Sequence, residues 1–227
     1  MTTSRRRSAL EISIFVVCFF GVWALRATYL YAIDAAIASD TLRAIYSTLV
    51  KLMLWVGPAI GFAHWRRQAS PPDYLGLTTW PSGRQWLVSV AVTGLFLGTV
   101  AGFESLSGRK GISLAGLSIV LTLPGFLATV VSPLLEEVLF RGLLLKEIAA
   151  LLPGWKANLV ASLLFAGVHL PFWLSQSGWT VGVMANTIGV LAFSLVAGWL
   201  CRLSASVWPS YLAHVANNCV AALLVAG

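Results

Sequence analysis

Residues 117–141 read LSIVLTLPGFLATVVSPLLEEVLFR, an uncharged apolar run that leads directly into two carboxylates and a guanidinium. The run is long enough to enter a bilayer as a helix, because a helix needs about 20 apolar residues to cross the hydrocarbon layer. An ionisable side chain at membrane depth costs roughly 2.5 to 3.5 kcal/mol on insertion scales. Three of them within six residues, Glu136, Glu137 and Arg141, therefore predict a functional site inside a membrane helix.

The composition of the whole chain is that of an integral membrane protein. Of its 227 residues, 58% are hydrophobic and only 10% are charged, and the mean hydropathy is +0.85. Soluble domains contain about 25% charged residues. Several apolar runs can cross a bilayer as helices, and no alternating ten-residue segments of an outer-membrane barrel are present. We therefore predict an all-α fold, a polytopic transmembrane bundle of seven to eight helices.

Seven apolar runs are the predicted spans. They are Ile12 to Leu30, Leu42 to Trp65, Trp86 to Phe103, Leu117 to Leu135, Ala157 to Leu170, Thr180 to Leu200 and Val207 to Ala226. The short fifth run is expected to begin earlier or to continue through Trp173, and the fourth to continue past Arg141. Pro124 and Pro133 lie in the fourth run, where each removes a backbone donor, so we expect a kink before the carboxylate pair.

The basic residues predict the orientation of the bundle, because short cytoplasmic loops of membrane proteins are enriched in Lys and Arg. With seven alternating spans and Arg5, Arg6 and Arg7 inside, the basic residues on the same side are Arg66, Arg67, Arg84, Arg141, Lys146, Lys156 and Arg202. Arg26, Arg43, Arg109 and Lys110 fall outside. We predict a cytoplasmic N-terminus and an outer C-terminus. Cytoplasmic loops then explain the net charge of +7, and no nucleic-acid partner is expected.

The N-terminus and the cysteines give little further functional information. A basic run precedes the first span, but no small-residue cleavage site follows Phe20, so we expect a retained helix and not a signal peptide. Cys18, Cys201 and Cys219 all lie in predicted spans and are too dispersed for a CxxC metal motif. They are interpreted as small apolar residues.

The compact loops between the predicted spans favour a location in the bacterial inner membrane.

The two adjacent glutamates are expected to have different environments. Glu137 and Arg141 are four residues apart, which places them on one face of a helix at ion-pair distance. Glu136 lies about 100 degrees further round the helix, near Phe140, and can point into a cavity. The alternative is a structural salt bridge at a helix end with Glu136 exposed to solvent.

Two of the three histidines lie in apolar helices. His169 ends the run from Phe165, and His214 precedes Asn218 by four residues, so that both side chains project to the same side of the last helix. His64 adjoins Trp65 at a helix end and is expected to be interfacial. Hydrogen bonds between helices are the alternative reading for His169 and His214.

Together, these polar groups could hydrolyse a peptide or amide bond. Glu136 and His169 could activate a water molecule, and His214 and Asn218 could stabilise the tetrahedral oxyanion. A covalent mechanism has little support, because the chain has no GxSxG nucleophile elbow and no serine or cysteine next to a histidine.

The residues that carry this chemistry resemble the motifs of a known family. The motifs are Glu136-Glu137-x-x-x-Arg141, Phe165-x-x-x-His169 and His214-x-x-x-Asn218, within roughly residues 130 to 222. In order and spacing they are similar to those of the CAAX protease and bacteriocin-processing family of intramembrane glutamic endopeptidases, which includes the prenyl-protein CAAX endopeptidase. Asn217 is adjacent to Asn218, and the spacing selects Asn218.

The resemblance implies an eight-helix-like bundle with a cavity that faces the cytoplasm, one helix more than the seven spans above. It implies that Glu136 and His169 activate water and that His214 and Asn218 form the oxyanion site. Glu137 and Arg141 would support them, together with Phe140 and Phe165. Residues 116–227 would be the CAAX-protease-like core, and residues 1–115 would be N-terminal transmembrane helices of unassigned role.

Two alternatives use the same residues. The first is a zinc protease with His169, His214 and a glutamate as ligands, although the HExxH signature is missing. The second is a non-catalytic immunity or transport protein, in which Lys51 could line a path; more simply, Lys51 reaches an interface or pairs with an acid such as Glu11. Our prediction is a protease without a cofactor whose substrate is a membrane-associated or lipidated peptide or protein.

Overall fold

The computed structural model describes residues 3–67, 70–106 and 110–226. The first part of the chain forms α1 (Thr3–Thr28), α2 (Tyr31–Ala36), α3 (Asp40–Lys51), α4 (Gly57–Arg67), α5 (Pro71–Tyr74), α6 (Gly83–Leu106) and strand β1 (Lys110–Ile112). The second part forms α7 (Ala115–Val120), α8 (Leu123–Phe126), α9 (Ser132–Glu137), α10 (Lys146–Ala149), α11 (Gly154–Gly167), α12 (Leu170–Ser177), α13 (Val181–Ser204), α14 (Trp208–Leu223) and strand β2 (Leu224–Ala226).

Wider π-helical turns join several of these helices into longer rods. One such turn, Leu52–Val56, joins α3 to α4. Two others, Leu127–Val131 and Val138–Leu145, join α8, α9 and α10 into a continuous helix from Leu123 to Ala149, which we call the central rod. The expected continuation of the fourth span past Arg141 is therefore confirmed. The central rod is π-helical from Leu127 to Val131, α-helical from Ser132 to Glu137 and π-helical again from Val138. The helical pitch therefore changes on either side of the carboxylate pair.

Six helices in the described residues are long and apolar enough to cross a membrane. They are Arg5–Ala36, Asp40–Arg66, Gly83–Leu106, Leu123–Ala149, Gly154–Ser177 and Val181–Ser204. The protein is thus an integral membrane protein with an all-α polytopic bundle, as predicted. The seventh predicted span, Val207 to Ala226, is shorter than expected, because α14 ends at Leu223 and the chain continues as β2.

The start of the predicted fourth span was wrong. The helix does not run from Leu117, because α7 ends at Val120 and the central rod begins only at Leu123. The Thr122 hydroxyl accepts a hydrogen bond from the Gly125 backbone N–H at 3.1 Å, which caps the new helix start.

The core of the bundle surrounds the central rod. Leu139, Phe140, Leu143 and Leu144 of the rod are completely buried. Trp55 packs edge-to-face against Phe140, with ring centroids 5.6 Å apart. Many large apolar side chains on the outer helices are exposed, as expected of a surface that faces lipid.

Helices α11 and α13 approach each other closely at Gly198. A methyl group at this position would lie 1.9 Å from the Asn158 side-chain oxygen, so a larger residue would displace the Asn158 side chain. The Asn158 amide nitrogen donates a hydrogen bond to the Leu195 carbonyl at 2.9 Å. This contact fixes the part of α13 that carries Phe193 and Ser194.

The two ends of the bundle are distinct. At one end, which we call the basic end, Arg66 pairs with Glu11 at 2.8 Å and Gln85 donates to the Leu203 carbonyl at 2.9 Å. At the other end, β1 and β2 form a two-stranded antiparallel ladder in which Gly111 pairs with Val225. We call this the ladder end.

Candidate active site

The paired glutamates lie near the middle of the central rod, on α9. Both are buried: Glu136 is 6% exposed and Glu137 is 0% exposed. Each points toward different helices, because consecutive residues on a helix are separated by about 100 degrees. The two carboxylates consequently have different partners, as the sequence predicted.

One carboxylate oxygen of Glu137 accepts hydrogen bonds from two side chains, those of Arg141 and His214. Arg141 Nη1 donates to Glu137 Oε1 at 2.8 Å, which confirms the expected ion pair within the helix. His214 Nδ1 lies 2.9 Å from the same oxygen. Because a carboxylate oxygen that already binds Arg141 can only accept, Nδ1 is the donor and the imidazole ring is fixed with Nε2 facing Glu136.

Arg141 is anchored a second time by α13. Its Nη2 donates to the Ser194 hydroxyl at 2.9 Å and to the Ser194 carbonyl at 3.3 Å. The guanidinium carbon also lies 4.3 Å from the centre of the Phe165 ring. The arginine therefore connects the central rod to α11 and α13.

Glu136 has a different set of partners. Lys51 Nζ donates to Glu136 Oε1 at 2.7 Å, and the Ser132 hydroxyl donates to the same oxygen at 3.2 Å. The second oxygen, Oε2, is buried without a hydrogen-bond partner among the described residues. It lies 3.9 Å from His214 Nε2.

These contacts form one row across the bundle, in the order Lys51, Glu136, His214, Glu137, Arg141. Basic and acidic groups alternate along it, so that each carboxylate lies between two basic groups. A buried charge without a partner is strongly destabilising, whereas a paired and hydrogen-bonded one is tolerated. The row therefore allows two acids to remain side by side in an apolar core.

Phe165 fills the space between the histidines. Its ring centre lies 5.2 Å from that of His169 and 5.6 Å from that of His214. Phe140 packs edge-to-face on the same ring at 5.0 Å. Phe165 and Phe140, which were predicted to support the site, thus pack directly around it.

His169 lies at the junction of α11 and α12. Its Nδ1 is 2.9 Å from the Phe165 carbonyl oxygen, and its ring stacks on Trp173 at 5.2 Å. A carbonyl oxygen only accepts, so Nδ1 carries the proton and Nε2 of the neutral ring is free to accept one. This tautomer is the one that a general base requires.

Asn218 lies one helical turn beyond His214 on α14 and is partly exposed. Its side chain makes no hydrogen bond to any residue in the described ranges, and the structure does not connect it directly to the row of charges. The helix alone places it beside His214. Its predicted role in an oxyanion site remains a prediction.

Sequence reasoning assigned no role to two hydroxyl groups, and it predicted an acidic partner for Lys51 but gave Glu11 as the example, whereas the partner is Glu136. Ser132 and Ser194 contact Glu136 and Arg141, and no motif in the chain identifies them. Lys51 does not pair with Glu11, which binds Arg7 at 2.9 Å and Arg66. The signal was present, however, because a lysine within a long apolar run needs an acidic partner at membrane depth.

A cavity of about 300 Å³ reaches the row from the ladder end. Lys51 and Ser132 line its inner part, and Trp23, Leu127 and Phe172 form its apolar walls. We call this cavity the cleft. At its outer part lie Arg26 and Asp34, which form a buried ion pair, and Ser47, which donates to Asp34 at 2.9 Å.

The described residues contain no group of three His, Cys, Asp or Glu side chains arranged to hold a metal ion. In addition, His214 Nδ1 is engaged by Glu137 and His169 Nδ1 by a backbone carbonyl. A zinc site built from the two histidines and a glutamate would therefore have to use the Nε2 atom of each histidine.

Comparison with known proteins finds a family that is similar to this region. Residues 118–220 match the family described as type II CAAX prenyl endopeptidase Rce1-like. The matched segment contains the whole central rod, and it includes the four predicted catalytic residues, Glu136, His169, His214 and Asn218. Searches of the curated proteins and of the solved structures gave no match.

Proposed function

We propose that this protein is an intramembrane endopeptidase of the glutamic type, because residues 118–220 match the Rce1-like family of type II CAAX prenyl endopeptidases, which is a family of proteases. Its substrate would be a membrane-associated or lipidated peptide or protein. The observation that carries the proposal is the row of charges, which brings Glu136 to within 3.9 Å of His214 in an apolar core.

Glu136 is the proposed general base. Its Oε1 is already bound by Lys51 and Ser132, so Oε2 is the oxygen that accepts a proton from the attacking water. His169 would accept the second hydrogen bond of the same water through Nε2 and so orient it. General-base catalysis of this kind contributes about 10²- to 10⁴-fold to a rate.

His214 and Asn218 are the proposed oxyanion donors. Glu137 fixes the His214 ring through Nδ1, in the way that a buried carboxylate orients the histidine of a catalytic triad. Since Nδ1 already donates to Glu137, the ring acts as an oxyanion donor in its imidazolium form, with a proton on both nitrogens. Its Nε2–H is then held on the side of Glu136, where the tetrahedral intermediate would form. Asn218 follows on the same helix face and would supply the second donor.

Cleavage of a quenched fluorescent peptide library, with and without prenylated C-terminal peptides, tests the proposal. Purified protein and its Glu136→Gln variant are compared with and without a zinc chelator. Cleavage that is lost in the variant and unaffected by the chelator supports a glutamic protease. Loss on chelation that zinc reverses would favour the zinc enzyme, and the absence of any cleavage would favour a non-catalytic role.

Removing the oxyanion donors is expected to slow turnover without unfolding the protein. His214→Ala and Asn218→Ala should each lower kcat by about 100-fold or more, because one such donor contributes roughly 10² to 10³ in rate. The two variants should differ in stability. His214→Ala should lower the melting temperature because it also removes a partner of Glu137, whereas Asn218→Ala should leave the melting temperature unchanged. Turnover within threefold of wild type in either variant would remove that residue from the oxyanion site.

Lys51 is expected to position Glu136. Lys51→Met removes the ion pair and should cost about 1.5 to 3 kcal/mol in the free energy of unfolding, the usual contribution of a hydrogen bond to a charged group. Turnover should fall at least tenfold, because the carboxylate is then held only by Ser132. Lys51→Arg should recover part of the lost turnover and part of the lost free energy of unfolding. Unchanged turnover and unfolding temperature in Lys51→Met would show that the contact has no positioning role.

A further inference from the structure

A second buried ion pair lies in the cleft, apart from the row of charges. Arg26 of α1 donates through Nη2 to Asp34 Oδ2 on α2. The same carboxylate oxygen accepts a hydrogen bond from the Ser47 hydroxyl of α3 at 2.9 Å. All three side chains line the cleft. Charged residues within membrane-spanning helices are rare and commonly belong to functional sites, so the position of this pair beside the row suggests a role in binding.

The pair leaves one donor and one acceptor unused. Arg26 and Asp34 are 7% and 2% exposed. Arg26 Nε and Asp34 Oδ1 are buried, and neither has a hydrogen-bond partner among the residues that the structure describes. Buried polar atoms without partners are destabilising. A ligand that brings one acceptor and one donor would satisfy both atoms at once.

The backbone of an extended peptide has this pattern of groups. Its N–H and C=O from a single residue point to the same side, which is how opposite residues of an antiparallel ladder exchange two hydrogen bonds. Asp34 Oδ1 could accept from the N–H, and Arg26 Nε could donate to the C=O. Because the charges of Arg26 and Asp34 offset each other, a neutral amide matches the pair better than a carboxylate or an ammonium group does.

The distance of the pair from Glu136 corresponds to a few peptide residues. Ser47, which binds Asp34, and Lys51 both line the cleft and lie one helical turn apart on α3, about 6 Å along the axis. Lys51 Nζ is 2.7 Å from Glu136 Oε1. An extended peptide advances about 3.3 Å per residue, so the pair is about two to three residues from a bond cleaved beside Glu136.

We propose that Arg26 and Asp34 form a subsite that binds the backbone of one substrate residue, about two to three residues from the scissile bond. Both unpartnered atoms are covered by the protein, so binding requires the two side chains to shift toward the peptide. The subsite selects an extended conformation and not a particular side chain, except that proline is excluded because it has no N–H. The identity of the ligand as a substrate rests on the proposed protease function.

An ester scan tests the subsite without catalysis. A fluorescein-labelled hexapeptide of alternating leucine and alanine binds to full-length Glu136→Gln protein in detergent, and each amide is replaced in turn by an ester, which lacks the N–H. At one position the ester should weaken binding at least tenfold, as expected for a hydrogen bond to a charged group. No binding of the parent peptide, or ester effects below twofold at every position, would overturn the proposal. A tenfold preference for a free C-terminal carboxylate over an amidated end would overturn it too, because Arg26 would then bind a chain end.

A double variant separates binding from a structural role of the pair. Arg26→Met with Asp34→Leu replaces the ion pair by apolar groups, which is often neutral or stabilising for a buried pair, whereas either change alone leaves an unpaired charge. The melting temperature should not fall, and the ester effect should drop below twofold. The matched control is Arg43→Met with Asp40→Leu, an exposed pair at 3.4 Å, which should keep the full ester effect.

An undiminished ester effect in the variant without the buried pair would overturn the subsite. If that variant does not fold, Arg26→Lys keeps the positive charge but lacks Nε. It should weaken binding of the parent peptide at least tenfold. Unchanged binding to Arg26→Lys would then overturn the proposal.

Cleavage by the wild-type protein distinguishes the subsite from the protease function. In a peptide that is cleaved, the ester at the sensitive position should raise KM at least tenfold and leave kcat within threefold, because the contact is made equally before and during the reaction. A protein that shows the ester effect on binding but cleaves no peptide would reject the protease function and leave the subsite standing. Cleavage without an ester effect at any position would reject the subsite alone.

Discussion

Glu136→Gln is expected to reduce peptide hydrolysis below detection, a loss of at least 10³-fold, while the yield of folded protein stays near that of wild type. The amide keeps the shape of the side chain, and its oxygen can still accept hydrogen bonds from Lys51 and Ser132. It cannot take a proton from water, however, and general-base catalysis alone accounts for about 10² to 10⁴ in rate. Initial rates on the best library peptide measure the effect.

A second buried acid on the central rod provides the matched control. Glu147 is 2% exposed, binds the Tyr74 hydroxyl and lies at the basic end, away from the row of charges. Glu147→Gln should retain activity within about threefold of wild type. Comparable activity in Glu136→Gln and wild type would remove Glu136 from the mechanism, and equal loss in both variants would attribute the effect to the fold.

Arg141→Ala should produce the largest loss of stability of any single substitution at the site. Glu137 is 0% exposed and would lose its strongest partner, and Ser194 would lose its hydrogen-bonded guanidinium. Removing one member of a buried ion pair costs about 3 to 5 kcal/mol, because the remaining charge is left in an apolar environment. Thermal unfolding in detergent should show a markedly lower melting temperature, with little activity left.

Two further variants separate the charge from the packing. Lys156→Ala removes an exposed cation near the basic end and should change stability by no more than about 0.5 kcal/mol, the usual range for surface positions. Glu137→Gln combined with Arg141→Ala removes both charges and should be more stable than Arg141→Ala alone. If Arg141→Ala unfolds at the same temperature as Lys156→Ala, the pair is solvated and not buried.

The membrane fold could be predicted because its determinants are local. Each long apolar run of the sequence satisfies its own backbone hydrogen bonds as a helix, whatever its neighbours are. The break before Leu123 does not follow from the same signal, since Thr122 interrupts neither the apolar character nor the length of the run. The local sequence indicates it, however, because Thr122 followed by Pro124 is the pattern of a capped helix start.

Contacts within one helix could be predicted, and contacts between helices could not. The spacing of four residues fixed the Glu137 and Arg141 pair in advance, since it depends only on helix geometry. The partner of Glu136 is Lys51, which is 85 positions earlier in the chain. Only the packing of α3 against the central rod brings the two together, and no periodicity in the sequence encodes that packing.

The row of charges also has a consequence for the biogenesis of the protein. Helices enter the membrane in the order of synthesis, and a charged rod is costly until its charges are neutralised. Glu137 is neutralised by Arg141 within the rod, and Glu136 by Lys51, which is synthesised earlier. The carboxylates of the central rod therefore have basic partners that are synthesised before α14, and His214 of α14 joins charges that are already paired.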